Sequence, residues 1–109
     1  MITWDDFEKI DMRCGTIIEA TNFEKAKKPA YKLVIDFGAL GLKNSSAQIT
    51  ALYSLEELVG KQVIAVVNFP PKQIANFFSE CLVLGVYNEN NDVVLLQPSL
   101  LVNNGHKVG

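Results

Sequence analysis

The segment Lys61 to Val86, KQVIAVVNFPPKQIANFFSECLVLGV, constrains the fold more than any other part of the chain. Two nearly continuous apolar runs, Gln62 to Asn68 and Glu80 to Val86, read as strands whose two faces are both covered. Between them lies a stretch that opens on Pro70-Pro71 and closes on Ser79-Glu80. The prolines lack backbone donors and hold φ near about −65°, so the ladder ends there and the chain turns outward. Lys72 follows at once, then the amides and rings of Gln73-Ile74-Ala75-Asn76-Phe77-Phe78, in which Asn76 is the side chain suited to positive φ. Such a loop either presents binding groups or is an ordinary long hairpin with Ile74 and Phe77 tucked inward. Composition does not choose between the two.

The remaining segments supply short strands. Thr3-Trp4-Asp5-Asp6 has the form of a helix start, with Thr3 as N-cap, acidic residues in the first turn, and Trp4, Phe7 and Ile10 near one face. Met12 to Ala20 alternates as a strand, with Gly15 marking a bulge or tight bend. A lysine-rich loop, Asn22 to Ala30, leads to a second strand, Tyr31 to Phe37, and Gly38 and Gly41 punctuate a turn into an unusually polar third strand, Leu42 to Thr50. Ser54 and Glu57 form a capping-box pattern for a short helix ended by Gly60. Asn88 to Asp92 turns into Val93–Leu96, stopped by Pro98, and Leu100, Leu101, Val102 and Val108 add apolar material beyond a minimal barrel. The expectation is an all-β chain: a five-stranded Greek-key barrel of the OB type with short helices and N- and C-terminal extensions. Periodicity alone leaves other small barrels open. The 109 residues form one domain, 1–109, which buries roughly 65% of its unfolded surface.

Composition narrows the function. The apolar fraction of 49% and mean hydropathy of +0.15 are high for this length, which points to apolar surface buried against a second subunit. Cys14 and Cys81 sit in alternating apolar runs, read as small buried hydrophobes, and match no zinc spacing, so no metal and no cofactor is expected. The acidic start lacks the basic and apolar regions of a signal peptide, and no run approaches the ~20 apolar residues of a span, so the protein is expected in the cytoplasm without membrane insertion. A net charge of −2 argues against a generic nucleic-acid binder. Its distribution matters more: residues 1–24 carry a net −4 and residues 25–72 a net +4, through Lys25, Lys27, Lys28, Lys32, Lys43, Lys61 and Lys72. That local field either steers an anionic partner or consists of solvated lysines on strand edges.

The succession DFEKIDMRCGTI, YKLVIDFG, NSSAQIT, GKQVIAVVNFPPKQIANFFSECLVLG and VVLLQPS resembles the tRNA-binding-domain family. The likeness runs from Phe7 through Val108. The segments Ser45–Thr50 and Asn68–Pro71 resemble its branch of bacterial export-related chaperones. One departure is Asn76, where the family usually carries glycine; tolerance of positive φ makes it mild. The resemblance implies an OB-fold homodimer that keeps an oligonucleotide face and takes up extended peptide in hydrophobic clefts near the dimer interface.

Two activities follow from it. For tRNA or other RNA, Ser45, Ser46 and Gln48 would bond base edges or 2′-hydroxyls, Lys32, Lys43 and Lys72 would meet phosphates, Phe77 or Phe78 would stack a base, and Ser79 and Glu80 fit the family's loop end. For unfolded or export-bound polypeptide, Phe69, Pro70, Ile74, Phe77 and Phe78 form an apolar patch that a lone barrel does not wholly bury. The same rings equally suit a dimer interface. The reading is an export-related chaperone with RNA-binding capacity; the alternative is a structure-specific tRNA-binding protein acting in trans. Catalysis would have to start from Cys14 or Cys81 with His106, the only histidine, and no Gly-rich phosphate loop occurs, so no enzyme is expected.

Overall fold

A computed structural model describes residues 1–109. Its main sheet holds five antiparallel strands in the order β3-β2-β1-β4-β7. These are β1 (Met12–Asn22), β2 (Tyr31–Asp36), β3 (Leu42–Ala47), β4 (Gln62–Val66) and β7 (Leu82–Val83). Two hairpins are appended, one of β5 (Lys72–Ile74) and β6 (Phe77–Ser79), the other of β8 (Gly85–Tyr87) and β9 (Val93–Leu95). Strict alternation in β2 sends Tyr31, Leu33 and Ile35 inward, where they meet Ile17, Phe37, Leu58, Val63 and Ala65.

The sheet curls until β3 approaches residues 79–81, and polar side chains close the seam in place of a regular ladder. The Glu80 N–H donates to the Asn44 carbonyl at 2.8 Å. The Asn44 N–H donates back to the Glu80 carboxylate at 2.9 Å. Beside them the Ser46 N–H donates to Ser79 Oγ at 3.2 Å, and the Ser45 hydroxyl to the Cys81 carbonyl at 3.0 Å. The result is a nearly closed five-stranded barrel of the expected OB type.

Several local expectations are corrected. The bulge in β1 falls at Ile18, between Ile17 and Glu19, not at Gly15. Gly15 is instead a close approach: a Cβ there would stand 2.7 Å from both Ile35 Cγ2 and the Phe37 ring. The third strand stops at Ala47 rather than Thr50. The run Glu80 to Val86 divides at Leu84, whose N–H donates to Ile64 while its carbonyl accepts from Leu96, so the chain leaves one sheet and enters another there. Its faces are not both covered, since Leu82, Val86 and Tyr87 are exposed. The loop after Pro71 is the two-residue hairpin β5–β6, and positive φ falls on Ala75 (54°), not Asn76.

Both predicted caps form. Thr3 and Asp6 make the capping box of α1 (Trp4–Glu8), and Ser54 and Glu57 that of α2 (Leu55–Leu58). Yet α1 buries no residue, and Trp4 is 82% exposed. The C-terminal segment is held along the start of β1, which β2 leaves unpaired, with Cys14 N–H to His106 O at 3.0 Å, Gly105 N–H to Cys14 O at 2.7 Å and Val108 N–H to Met12 O at 2.9 Å. Gln62 bonds Val102 through both amide atoms, which fixes a segment whose Leu100 and Leu101 nonetheless face solvent. No helix is long and apolar enough to cross a membrane.

Candidate nucleic-acid interface

The alternation that fills the barrel also sorts the polar residues of β2 and β3. Lys32 pairs with Ser46 in register, and both belong to the outward set with Gln48, whereas Ser45 and Ala47 point inward. The outer face of β2–β3 therefore gathers a cation, a hydroxyl and an amide. It is flanked by the lysine loop, residues 23–30, and by the β5–β6 hairpin, which carries exposed Lys72. OB barrels use this face and the two corresponding loops for oligonucleotides.

The hairpin is anchored to that face by aromatic contacts. Phe77 packs edge-on against buried Phe23 with ring centroids 5.3 Å apart. The Lys32 ammonium lies over both rings, 5.3 Å from Phe23 and 5.5 Å from Phe77. Phe77 is thus engaged inside the chain, while Phe78, 53% exposed, remains open to stack a base. Phe23 was not among the expected site residues. Its position beside the lysine loop was legible, but its contact with residue 77 is long-range.

The structure does not bring all the expected RNA contacts together. Ser45 is fully buried and donates to Cys81, so it does not reach a base edge or a 2′-hydroxyl. Ser79 and Glu80 are half-buried and engaged in the barrel seam. Lys43 shares the inward parity of Ser45 and stands near enough to Cys81 for its charge to act on the thiol, apart from Lys32, Ser46 and Gln48.

Of the apolar set, Phe69 and Pro70 line one groove of about 280 Å³ with Lys72, Cys81 and Leu82. Its accessible wall is nearly all carbon. Leu82 belongs to this surface although its run reads in sequence as a covered strand. Ile74 is half-buried at the hairpin end, opposite Phe77. A second apolar hollow, about 700 Å³, is formed by Ile2, Trp4 and Phe7 beside Gly109.

The nucleophile candidates face inward. Burial raises the Cys14 thiol above its ordinary value and pushes Cys81 up to about 11, outweighing a hydrogen bond from Ser45 and the charge of Lys43. Protonated, buried thiols are poor nucleophiles. His106 is exposed on the tail.

Comparison with known proteins agrees with this geometry. A family model described as "Putative tRNA binding domain" matches residues 12–107. The solved structure of the chaperone CsaA of Bacillus anthracis str. Ames is 53% identical and superposes with a TM-score of 0.95, over 100% of this chain and 99% of that one. The CsaA chaperone protein from Picrophilus torridus is 56% identical, with a TM-score of 0.94 over 100% of both chains. The methionine–tRNA ligase of Methanococcoides burtonii is 35% identical over 105 residues, covering 96% of this chain and 15% of the ligase. The chain thus spans about 15% of the length of that curated relative.

Proposed function

Because this chain belongs to the tRNA-binding-domain family, we propose that its outer β2–β3 face binds tRNA or tRNA-like RNA, and that the protein is a CsaA-like, export-related chaperone for unfolded or export-bound polypeptide. Residues 1–109 act as one OB-type unit. Lys32 and Lys72 meet phosphates, Ser46 and Gln48 bond bases or 2′-hydroxyls, and Phe78 stacks a base. Polypeptide occupies the apolar groove of Phe69, Pro70 and Leu82. The observation that carries the chaperone half is the full-length likeness to two CsaA chaperones, together with large apolar side chains held in the open on hydrogen-bonded segments. Exposed Trp4, Leu100 and Leu101 support a homodimer formed through the terminal extensions.

A second reading, a tRNA-binding protein acting in trans, is favoured by the family match and by the likeness to methionine–tRNA ligase. One pair of titrations separates the two. A tRNA and an unstructured peptide are titrated separately at two salt concentrations. RNA affinity falls steeply as salt rises, because bound phosphates release counterions, while apolar peptide binding holds or strengthens. Lys32→Ala, outside the apolar groove, flattens the RNA salt slope by about 0.7–0.9 and leaves peptide binding unchanged. Absence of peptide binding at any salt leaves the trans-acting reading; RNA binding indifferent to salt refutes the phosphate contacts. A monomeric mass in solution refutes the dimer.

A further inference from the structure

One groove shares Gln48 with the outer β2–β3 face and extends beyond it. It lies where the lysine loop, the exit of β3 and the Asn88–Asp92 turn meet, has a volume of about 280 Å³, and is lined by Lys28, Gln48, Thr50, Asn91 and Asp92 over the apolar residues Pro29, Ile49 and Val93. Its polar groups differ from several of those that line the other hollows. Thr16, Gln62 and Asn104, in the larger hollow beside the tail, bond one another or the backbone. Ser79 and Glu80 serve the seam, and Thr3 caps α1. In the Lys28–Asp92 groove none of the five polar side chains makes a hydrogen bond or ion pair within the chain. Convergent unengaged polar groups above an apolar floor are a feature of small-ligand sites, and this volume lies just below the roughly 300–1,000 Å³ range of such sites.

Resting on the RNA reading above, we infer that this groove is a ribonucleotide subsite, which takes one unpaired nucleotide at the end of the track across β2–β3. Position supplies the occupant. Gln48 continues the outward set of Lys32 and Ser46, so the groove opens where that face ends. Its chemistry is divided to suit a nucleotide. Lys28 offers a cation to the phosphate. Asp92, an acceptor without an ion-pair partner, suits the hydroxyls of a ribose. Gln48 and Asn91 each present donors and an acceptor to a base edge, and Pro29, Ile49 and Val93 cover the base face. A run of apolar peptide would leave five polar groups desolvated and unpaired, which disfavours it.

The test uses the whole chain, adenosine 5′-monophosphate and its 2′-deoxy counterpart, followed by amide chemical shifts. The ribonucleotide is expected to shift Gln48, Asn91 and Asp92 and to bind several-fold better than the deoxynucleotide. Asp92→Ala, which removes the acceptor, is expected to weaken it about tenfold and to abolish the preference for ribose. Gln48→Ala provides a second exposed variant, expected to weaken both nucleotides alike. A preference that survives in Asp92→Ala, or shifts confined to the lysine loop with no ribose preference, overturns the subsite. If tRNA binds the native chain in a salt-dependent way while that happens, the RNA reading stands and only this inference fails. Absence of tRNA binding refutes the RNA reading, whatever the mononucleotides do.

Discussion

Ser45 and its neighbour Ser46 test how the barrel divides structural from ligand-facing polarity. Ser45 is fully buried and donates to the Cys81 carbonyl at 3.0 Å. Ser45→Ala removes one neutral hydrogen bond from the seam, but the carbonyl keeps a second donor, the Ser79 hydroxyl at 3.3 Å. With no acceptor orphaned, the loss is that of the bond alone, about 1 kcal/mol. For a domain of this size that corresponds to a drop in Tm of about 4–6 °C. Ser46→Ala removes a hydroxyl from the outer face and leaves the seam bond intact, because that bond uses the Ser46 backbone N–H. Its stability is expected to stay within about 0.5 kcal/mol of the parent. The assay pairs urea unfolding with tRNA binding by fluorescence anisotropy, well below either Tm. Ser45→Ala is expected to be less stable with unchanged affinity, and Ser46→Ala as stable with weaker binding. A Ser45→Ala protein of parental stability that had lost tRNA affinity would refute the inward orientation of Ser45 and restore it as an RNA contact.

Three further outcomes follow from local geometry. Gly15→Ala forces a methyl to within 2.7 Å of Ile35 and Phe37, and urea denaturation should register a loss of about 1–3 kcal/mol from overpacking. Ala75→Gly relieves positive φ at the hairpin tip, and slower amide exchange across Gln73–Phe78 should report a gain of about 0.5–1 kcal/mol. Cys81 holds its proton up to about pH 11 when folded, against an ordinary value of 9.0, so unfolded chains lose that proton first as pH rises. Stability is therefore fully present below about pH 9 and falls toward pH 11, by about 2–3 kcal/mol from this thiol, which the difference from Cys81→Ala isolates.

How far the sequence reaches can be judged residue by residue. The N-cap at Thr3 and the Ser54–Glu57 capping box were legible because a cap depends on side chains three positions apart. The inward alternation of Tyr31, Leu33 and Ile35 was legible because strand parity is local. The same parity, once β3 is in register with β2, separates Ser45 from Ser46. Without that register the two serines are equivalent in sequence. The hairpin tip went to Asn76 on propensity, whereas the pairing of Ile74 with Phe77 moves positive φ to Ala75.

Local chemistry, then, settled the strands, the caps, the buried thiols and the proline-bounded projection, since each depends on neighbours within a few positions along the chain. Tertiary closure decided which polar groups remain free. Ser45, Ser79 and Glu80 are drawn into the seam because the last edge of a curled sheet must satisfy its donors and acceptors, and the nearest side chains do so. The groove between Lys28 and Asp92 likewise exists only because the fold brings together segments more than sixty residues apart, a proximity that neither segment encodes alone.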